Sequence, residues 1–314
     1  MNIDQPISVI VPCSRPEKAK ATLEALLRQD FLSEKYELIV VVPDELTASA
    51  VRAPHIGVVV AGLLFPPGKM RNIGARAAVG RYLFFIDDDC VPPGNWLAVL
   101  IATLLEASRR AAVGCRLVSA STGFWNECAD FALFWSYQYP TKHKTDLGSA
   151  AMVVQGEAFQ EAGGFDEKLK ATEDWDFCLR VRAMGWHCVH DPAVAVLHDH
   201  RRGSLTAIVK QGYRSGYLSG LDVQRKHASQ MTWLGRLSLL MGGPWLYWLL
   251  ILPNVCLNTA LQVLPFVKTR PKVVVFSPFI LLTRLAYHIG VWWRLLGDRC
   301  DRQEKGVYCD SDVS

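Results

Sequence analysis

The sequence predicts an α/β fold in which a mostly parallel sheet is flanked by helices, followed by a hydrophobic helical segment that associates with a membrane. Three observations predict it. Short apolar runs alternate with helix-type segments, one run ends in the aspartates Asp87–Asp89, and no charged residue occurs between Leu237 and Val267. Strands and helices that alternate in this way form parallel sheets with right-handed crossovers.

The composition limits the classes of function. The chain has 314 residues, of which 50% are apolar and 20% charged, and a net charge of +4, which is too small to indicate nucleic-acid binding. Its nine cysteines are scattered without a close Cys-x-x-Cys pair, as in proteins with free thiols in a reducing compartment. Residues 1–11 lack the pattern of a signal peptide, so we expect the first domain to fold in the cytosol.

The strands and helices are predicted from apolar runs and from the proline and glycine residues that end them. Strands stop at Pro12 and at Pro43, and helices stop at Gly80 and Gly185, which are usual terminators. The predicted strands are Ile7–Val11, Tyr36–Val42, His55–Ala61, Tyr82–Ile86, Ala112–Val118 and Ala150–Val154. The predicted helices are Glu17–Gln29, Lys69–Val79, Trp96–Arg109, Asp174–Met184 and Leu205–Lys226.

The triplet Asp87–Asp89 directly follows the apolar run Tyr82–Ile86. Adjacent unpaired carboxylates are too costly to bury, so the strand must end there and open into solvent or onto a cation. Alternate residues of an extended strand point the same way, so Asp87 and Asp89 are expected to face one ion while Asp88 points elsewhere. Carboxylates suit Mg²⁺ or Mn²⁺. The alternative is a solvated acidic turn.

The segment Ser119–Leu147 interrupts the alternation of strands and helices and is rich in aromatic residues. Two interpretations fit it. Aromatic side chains most often pack together, which favours a local core. The alternative is an insertion that shapes an acceptor pocket or lies near a membrane.

A second acidic cluster, Glu173–Asp176, begins a predicted helix. Asp176 and Arg180 form an i, i+4 pair on one face, while Asp174 lies on another face near the positive end of the helix dipole. An ionised carboxylate without an arginine partner is what a general base requires. The alternative is an acidic first turn that only starts the helix.

The apolar segment Leu237–Val267 is longer than the roughly 20 residues needed to span a bilayer. A second run, Val273–Thr283, is shorter and continues as an aromatic-rich amphipathic stretch typical of an interfacial helix. Basic residues flank every apolar piece, which the positive-inside rule places in the cytosol. A re-entrant or monotopic anchor is therefore favoured, and a buried helical hairpin of a soluble domain is the alternative.

The motifs together resemble the family 2 glycosyltransferases of GT-A fold over roughly residues 7 to 216. The resemblance rests on their order rather than on any one of them. They are Ile7–Pro12, Met70–Gly74, Asp87–Asp89, Gly163–Glu167, Glu173–Asp176 with Arg180 and Gly185, His198, and Arg201–Leu205.

The resemblance implies an inverting transfer of a sugar from a nucleotide-sugar to an acceptor hydroxyl, with Mg²⁺ or Mn²⁺ as cofactor. By this resemblance Asp174 is the general base and His198 joins Asp89 as a metal ligand, although a lone histidine is also often structural. The remaining implied residues are, for the nucleotide-sugar, Pro12, Asp44, Arg71, Asp87 and Asp88, and, for acceptor positioning, Glu173, Asp166 and Arg180.

One departure concerns the nucleotide base. Such enzymes usually carry an acidic pair directly after the second strand, where one carboxylate reads uracil. Here the sequence is Val42-Pro43-Asp44-Glu45. Either Asp44 serves from a shifted position, or the base is not uracil.

The predicted organisation is a catalytic domain at 1–228, hydrophobic membrane-associated helices at 229–299 and a polar tail at 300–314. The expected partners are a nucleotide-sugar donor, a glycan or lipid-linked acceptor and a membrane, with no nucleic acid. The catalytic domain is expected on the cytoplasmic side, which in a bacterium is the inner face of the cell membrane.

Two other functions compete with the predicted one. A haloacid dehalogenase-type phosphatase also uses Asp-x-Asp after a buried strand, but usually on the first strand and with glycine where Cys90 stands. A non-catalytic membrane-bound scaffold that only binds sugar nucleotides is the other alternative, and the two intact acidic motifs argue against it.

Overall fold

The computed structural model describes residues 6–31, 36–144, 146–230 and 244–309. The chain divides into two compact units, one formed by Met1–Asp130 and Phe134–Arg201, the other by Phe131–Leu133 and Arg202–Ser314. The predicted domain boundaries at 228 and 299 stay predictions. Leu237, where the charge-free segment begins, and residues 310–314 of the predicted tail lie outside the described residues.

The first unit alternates strands and helices. Its strands are β1 (Ile7–Pro12), β2 (Tyr36–Val42), β3 (Ile56–Val60), β4 (Tyr82–Ile86), β5 (Cys90–Val91), β6 (Arg110–Ser119), β7 (His143–Lys144), β8 (Ala151–Gln155) and β9 (His187–His198). Its helices are α1 (Pro16–Leu27), α2 (Glu45–Val51), α3 (Pro67–Ala77), α4 (Trp96–Leu105), α5 (Phe124–Ala132, whose end lies in the second unit), α6 (Gly156–Glu161) and α7 (Glu173–Ala183).

The strands form one mixed sheet in the order β3-β2-β1-β4-β8-β6-β9-β5, with β7 paired to β9. The pairs β3–β2, β2–β1 and β1–β4 are parallel, whereas β8 is antiparallel to both of its neighbours, β4 and β6. The predicted α/β class with helices flanking the sheet is confirmed, and the sheet is mixed beyond β4. A strand buried on both faces reads as a continuous apolar run in either direction, so the sequence of β8 does not reveal its orientation.

Strand β4 is central and wholly buried, as its five apolar residues predict. Phe84 packs edge-on against Trp96 on one face of the sheet, and Phe85 packs against Phe159 and Phe165 on the other. Both faces of β4 are therefore fixed by aromatic packing. This packing fixes the position of the end of β4, and therefore the position of Asp87 at the edge of the sheet.

The second unit is helical. It contains α8 (Leu205–Ser215), a π-helical turn (Gly216–Gly220), α9 (Leu221–Lys226), α10 (Pro244–Val263) and α11 (Val273–Cys309). The predicted single helix over 205–226 is thus interrupted by the π-helical turn. Two stretches, Trp245–Phe266 and Val273–Gly297, are long and apolar enough to cross a membrane, with mean hydropathies of 1.6 and 1.5.

Glycines let α8 and the π-helical turn pack closely against α11 within this unit. A Cβ atom at Gly212 would lie 2.7 Å from the Thr283 carbonyl oxygen, and one at Gly216 would overlap the Tyr287 carbonyl oxygen. From the other side, a Cβ at Gly290 would overlap the Tyr213 carbonyl oxygen. Because the colliding atoms belong to the backbone, a side chain at these positions must push the helices apart.

We expect Gly216→Ala to destabilise the second unit by about 1–3 kcal/mol, the usual cost of overpacking. The control is Gly297→Ala on α11, where nothing lies within 4 Å of the added Cβ atom. Thermal unfolding in detergent measures both variants. An equal transition temperature for the two would show that close helix packing at Gly216 does not stabilise this unit.

Candidate active site

The acidic residues of both motifs lie at the carboxyl edge of the parallel strands. Asp87 follows β4, and its backbone N–H donates to the Ala150 carbonyl at 3.0 Å, beside the start of β8. Asp89 accepts at its carbonyl from the Asp199 N–H at 2.9 Å, beside the end of β9. Ligands in open α/β sheets bind at this edge.

Arg71 of α3 joins the two acidic motifs. Its guanidinium contacts Asp87 Oδ1 at 2.5 Å and Glu173 Oε1 at 2.7 Å, and its side chain is only 3% exposed. A buried guanidinium with two carboxylate partners is an internal counterion, and it fixes the first turn of α7 relative to the end of β4. The predicted contact between Arg71 and the nucleotide stays a prediction, and the structure gives Arg71 a positioning contact with Asp87.

Glu173 is buried at the start of α7. Burial, together with the charge of the neighbouring Asp174, raises the pKa of its carboxyl to about 7, and Arg71 acts in the opposite direction. The residue before it, Thr172, has a left-handed backbone with a φ of 63°. Such strain in a non-glycine residue is common at functional sites, and here it sets the direction in which α7 begins.

Asp174 accepts hydrogen bonds from two backbone N–H groups and, at 3.5 Å, from the Ser149 hydroxyl. Its Oδ2 accepts from the Ser149 N–H at 3.0 Å, and its Oδ1 accepts from the Trp175 N–H at 2.8 Å. Within the described part of the chain, no arginine or lysine makes an ion pair with it, as the sequence predicts.

The chain at Gly148 passes very close to the side chains of Tyr137 and Asp174. A Cβ atom there would overlap the hydroxyl of the buried Tyr137 and would lie 3.2 Å from Asp174 Oδ2. Only glycine fits this position, because the loop must pass between the two side chains to present the Ser149 N–H. Tyr137 belongs to the aromatic-rich segment 119–147, so this part of the segment contributes packing around the site.

Asp88 holds the loop between β1 and α1. It is 2% exposed, and its Oδ2 accepts from the Ser14 and Arg15 backbone N–H groups, each at 3.0 Å, while Oδ1 contacts the Arg15 guanidinium. Burial raises the pKa of this carboxyl, and Arg15 opposes the rise. Asp88 therefore points into the protein, but it shares the Arg15 guanidinium with Asp89, whereas Asp87 contacts Arg71 instead. The predicted contact of Asp88 with the nucleotide-sugar stays untested.

Asp89, Cys90 and His198 form a cluster of possible metal ligands, with one ligand atom from each within 4.8 Å of the others. The pairing of β5 with β9 places Cys90 opposite His198, and His198 Nε2 lies 3.5 Å from Asp89 Oδ1. Burial raises the pKa of Asp89, as does the charge of Asp87, whereas Arg15 and Lys18 lower it. Carboxylate ligands suit Mg²⁺ or Mn²⁺, and an imidazole ligand is typical of transition-metal ions.

The other predicted residues lie outside this cluster of contacts. Asp44 caps α2, where its Oδ1 accepts from the Thr47 N–H at 2.8 Å, and Pro12 ends β1. Arg180 contacts Asp176 at 2.7 Å and donates to the Gly164 carbonyl at 2.8 Å, which ties α7 to the turn containing Asp166. Asp166 Oδ1 accepts from the Lys168 N–H at 3.0 Å.

Four residues with site contacts were missed by sequence reasoning: Arg15, Lys18, Tyr137 and Ser149. Arg15 and Lys18 start α1 directly after β1, at the same sheet edge as Asp87–Asp89. The rule that ligands bind at the carboxyl ends of strands could have identified them. Tyr137 and Ser149 carry no such signal, because their contacts depend on the path of the loop before β8.

Known proteins resemble this chain across most of its length. The model of a family described as glycosyltransferase like family 2 matches residues 5–217. The pre-mycofactocin glycosyltransferase of Mycobacterium tuberculosis is 29% identical over 194 residues, which cover 59% of this chain and 40% of that protein. An uncharacterized glycosyltransferase of Haemophilus influenzae is 26% identical over 194 residues, covering 56% of this chain and 61% of that protein.

Among solved structures, the mannosyltransferase PcManGT of Pyrobaculum calidifontis, in complex with GDP-Man and Mn²⁺, aligns with a TM-score of 0.64. The alignment covers 95% of this chain and 88% of that one at 20% sequence identity, so it shows a shared fold. This chain spans about 40% of the length of the Mycobacterium protein.

Proposed function

Since the chain belongs to the glycosyltransferase-like family 2, as its motif order indicates, we propose that it transfers a sugar from a nucleotide-diphosphate sugar to an acceptor hydroxyl with inversion. One observation carries the proposal. Two acidic motifs far apart in sequence, Asp87–Asp89 and Glu173–Asp174, are brought together through Arg71, with His198 beside Asp89. This supplies a place for a diphosphate-bound cation and a separate carboxylate, that of Asp174.

Asp87 and Asp89 have different roles in this proposal. The Asp87 side chain is 29% exposed and is held by Arg71, so its free oxygen is available to a ribose hydroxyl. Asp89 and His198 would hold the divalent ion, Mg²⁺ or Mn²⁺. Such an ion, when bound, neutralises charge that develops on the leaving diphosphate.

Asp174 removes the proton from the acceptor hydroxyl as that hydroxyl attacks the anomeric carbon. Its two backbone hydrogen bonds fix its orientation, and among the described residues no arginine or lysine forms an ion pair with it that would occupy the carboxylate. Glu173 and Arg180 position α7 through their contacts with Arg71 and with the turn at Gly164. The predicted role of Asp166 in acceptor positioning rests on that same turn.

A phosphatase of haloacid dehalogenase type fits the geometry poorly. Its nucleophile would be Asp87, the first aspartate of the motif, and that carboxylate is in an ion pair with the buried Arg71. A non-catalytic scaffold would not require a general base such as Asp174. Family membership and the two acidic motifs both favour the transferase.

The donor is identified by thermal shift with a panel of nucleoside diphosphates, each with and without Mn²⁺, because a selective ligand stabilises the folded state by mass action. The preferred nucleotide also decides whether Asp44 reads a uracil. NMR of the product made from the matching sugar nucleotide then gives the anomeric configuration. Retention of the donor configuration would contradict direct displacement.

We propose that α10 and α11 associate with a membrane. One face of α10 packs inward with Tyr247, Ile251 and Val255, which are at most 3% exposed. The opposite face exposes Trp245, Trp248, Leu249 and Leu252, each at least half exposed. A soluble hairpin would leave this apolar stripe in water, whereas lipid covers it, so the stripe argues against the buried-hairpin alternative.

Lysines on the exposed face of α10 test this proposal. We expect Leu249→Lys with Leu252→Lys to shift the protein from the membrane fraction toward the soluble fraction, since a charge at membrane depth costs about 2.5–3.5 kcal/mol. The control is Leu46→Lys, because Leu46 of α2 is 84% exposed and lies in the first unit. Unchanged sedimentation of the double variant would contradict contact of this face with lipid. The cytoplasmic side of the catalytic unit stays a prediction.

A further inference from the structure

Two cations at the start of α1 neutralise Asp89 from the side opposite to His198. Arg15 Nη2 lies 3.0 Å and Lys18 Nζ lies 3.6 Å from Asp89 Oδ2. The other oxygen, Oδ1, faces His198 Nε2 at 3.5 Å. One oxygen of the proposed metal ligand is therefore already paired with protein cations.

The two cations differ in what else holds them. Lys18 is 8% exposed, and its ammonium also contacts Asp199 Oδ2 at 3.2 Å and donates to the Asp199 carbonyl at 3.0 Å. Arg15 is 42% exposed, and among the described residues its guanidinium pairs with two carboxylates of the triplet, those of Asp88 and Asp89. Lys18 is thus fixed in place, while Arg15 extends to the surface of the site with donors to spare.

The positive charges of Arg15 and Lys18 affect the order in which the divalent ion and the diphosphate bind. A divalent ion at Asp89 and His198 would be placed next to two positive side chains, which repel it. A diphosphate that arrives with the ion reverses this effect, because its oxygens attract both the ion and the guanidinium.

We propose that the positive charges of Arg15 and Lys18 make binding of the metal ion depend on binding of the donor. We also propose that the Arg15 guanidinium binds the donor diphosphate. This inference rests on the proposed transferase function. Arg15 repels the ion when the diphosphate is absent and holds the diphosphate when both are present.

The position of Arg15 in the loop does not depend on its side chain. The Ser14 and Arg15 backbone N–H groups both donate to Asp88 Oδ2 at 3.0 Å. A substitution of the side chain keeps these two hydrogen bonds. Arg15→Gln is therefore expected to leave the loop between β1 and α1 in place, and circular dichroism with thermal unfolding checks this.

The test measures Mn²⁺ affinity of the full-length protein by electron paramagnetic resonance, first alone and then with saturating ADP, CDP, GDP, TDP or UDP. For Arg15→Gln we expect Mn²⁺ alone to bind about tenfold tighter and the best nucleoside diphosphate with Mn²⁺ to bind about tenfold weaker, the scale of one charged hydrogen bond. Arg15→Lys should restore most of the repulsion toward Mn²⁺ alone. The control is Arg28→Gln, because Arg28 is 73% exposed and its ion pair within the described part of the chain is with Glu24.

The two affinities of Arg15→Gln are expected to change in opposite directions, which a merely structural role of Arg15 would not cause. If both affinities of Arg15→Gln fell together, or if neither changed, the inference would be wrong although the proposed function would stand. If the wild-type protein bound no nucleoside diphosphate with Mn²⁺, the proposed function itself would fail, and the inference with it.

Discussion

Asp174→Asn is expected to lower the rate of sugar transfer by about 10²–10⁴, the usual contribution of a general base, while donor and metal affinities stay near those of the wild type. Asparagine is nearly isosteric and retains an oxygen that accepts from Ser149 or Trp175, so the first turn of α7 keeps its position. The amide cannot accept the proton of the acceptor hydroxyl. Single-turnover transfer with a saturating donor isolates the chemical step from binding.

The comparison for this variant is Asp166→Asn, in the turn that Arg180 holds, for which a smaller loss of rate is expected because its proposed role is to position the acceptor. Wild-type transfer by Asp174→Asn would show that Asp174 is not the base. A larger loss of rate in Asp166→Asn than in Asp174→Asn would move the role of base to Asp166. A collapse of donor affinity in Asp174→Asn would assign this residue to the binding of the metal or the donor.

The second large effect is expected at Asp89. Asp89→Ala should remove metal-dependent binding of the donor, because it deletes the carboxylate that lies beside His198 and takes one anionic partner from both Arg15 and Lys18. Calorimetry with Mn²⁺ and the preferred nucleotide should then give an affinity at least about tenfold weaker, the scale of one lost charged contact.

Asp88→Ala is the matched comparison for Asp89→Ala. Asp88 is buried and accepts hydrogen bonds from the loop between β1 and α1. We therefore expect Asp88→Ala to lower the thermal stability of the protein and to weaken Mn²⁺ binding less than Asp89→Ala does. An unaltered affinity for Mn²⁺ and nucleotide in Asp89→Ala would show that the metal is held elsewhere. A larger loss of affinity in Asp88→Ala than in Asp89→Ala would exchange the roles of the two aspartates.

The sequence predicts those strands in which a buried apolar run ends at a residue that terminates the strand. Strand β2 is found at Tyr36–Val42 and β4 at Tyr82–Ile86, both as predicted, because each is an apolar run with a sharp end. Strand β9 was not predicted. Its sequence contains Asp191 and Pro192, and its register with β6 shifts where Cys115 pairs with Asp191 and Arg116 with Ala195. A bulge accommodates the proline, and a local pattern does not reveal it.

For the site, the sequence shows the acidic residues but not their partners. Arg71 and Glu173 are 102 positions apart, and Arg15 and Asp88 are 73 apart. Such pairs are created by the sheet order, which brings the ends of β1 and β4 and the start of α7 together. Burial of Asp88 and Asp89 was missed for the same reason, because the cations that make it tolerable come from α1.

The most direct test of metal-dependent transfer measures release of nucleoside diphosphate from a panel of sugar nucleotides by the full-length protein in membranes. One sample contains Mn²⁺, and a second is stripped with a chelator and then restored with Mn²⁺. We expect turnover with one sugar nucleotide, its loss on chelation and its return with the ion. Equal turnover in the stripped and restored samples, or none with any sugar nucleotide, would contradict a metal-dependent glycosyltransferase.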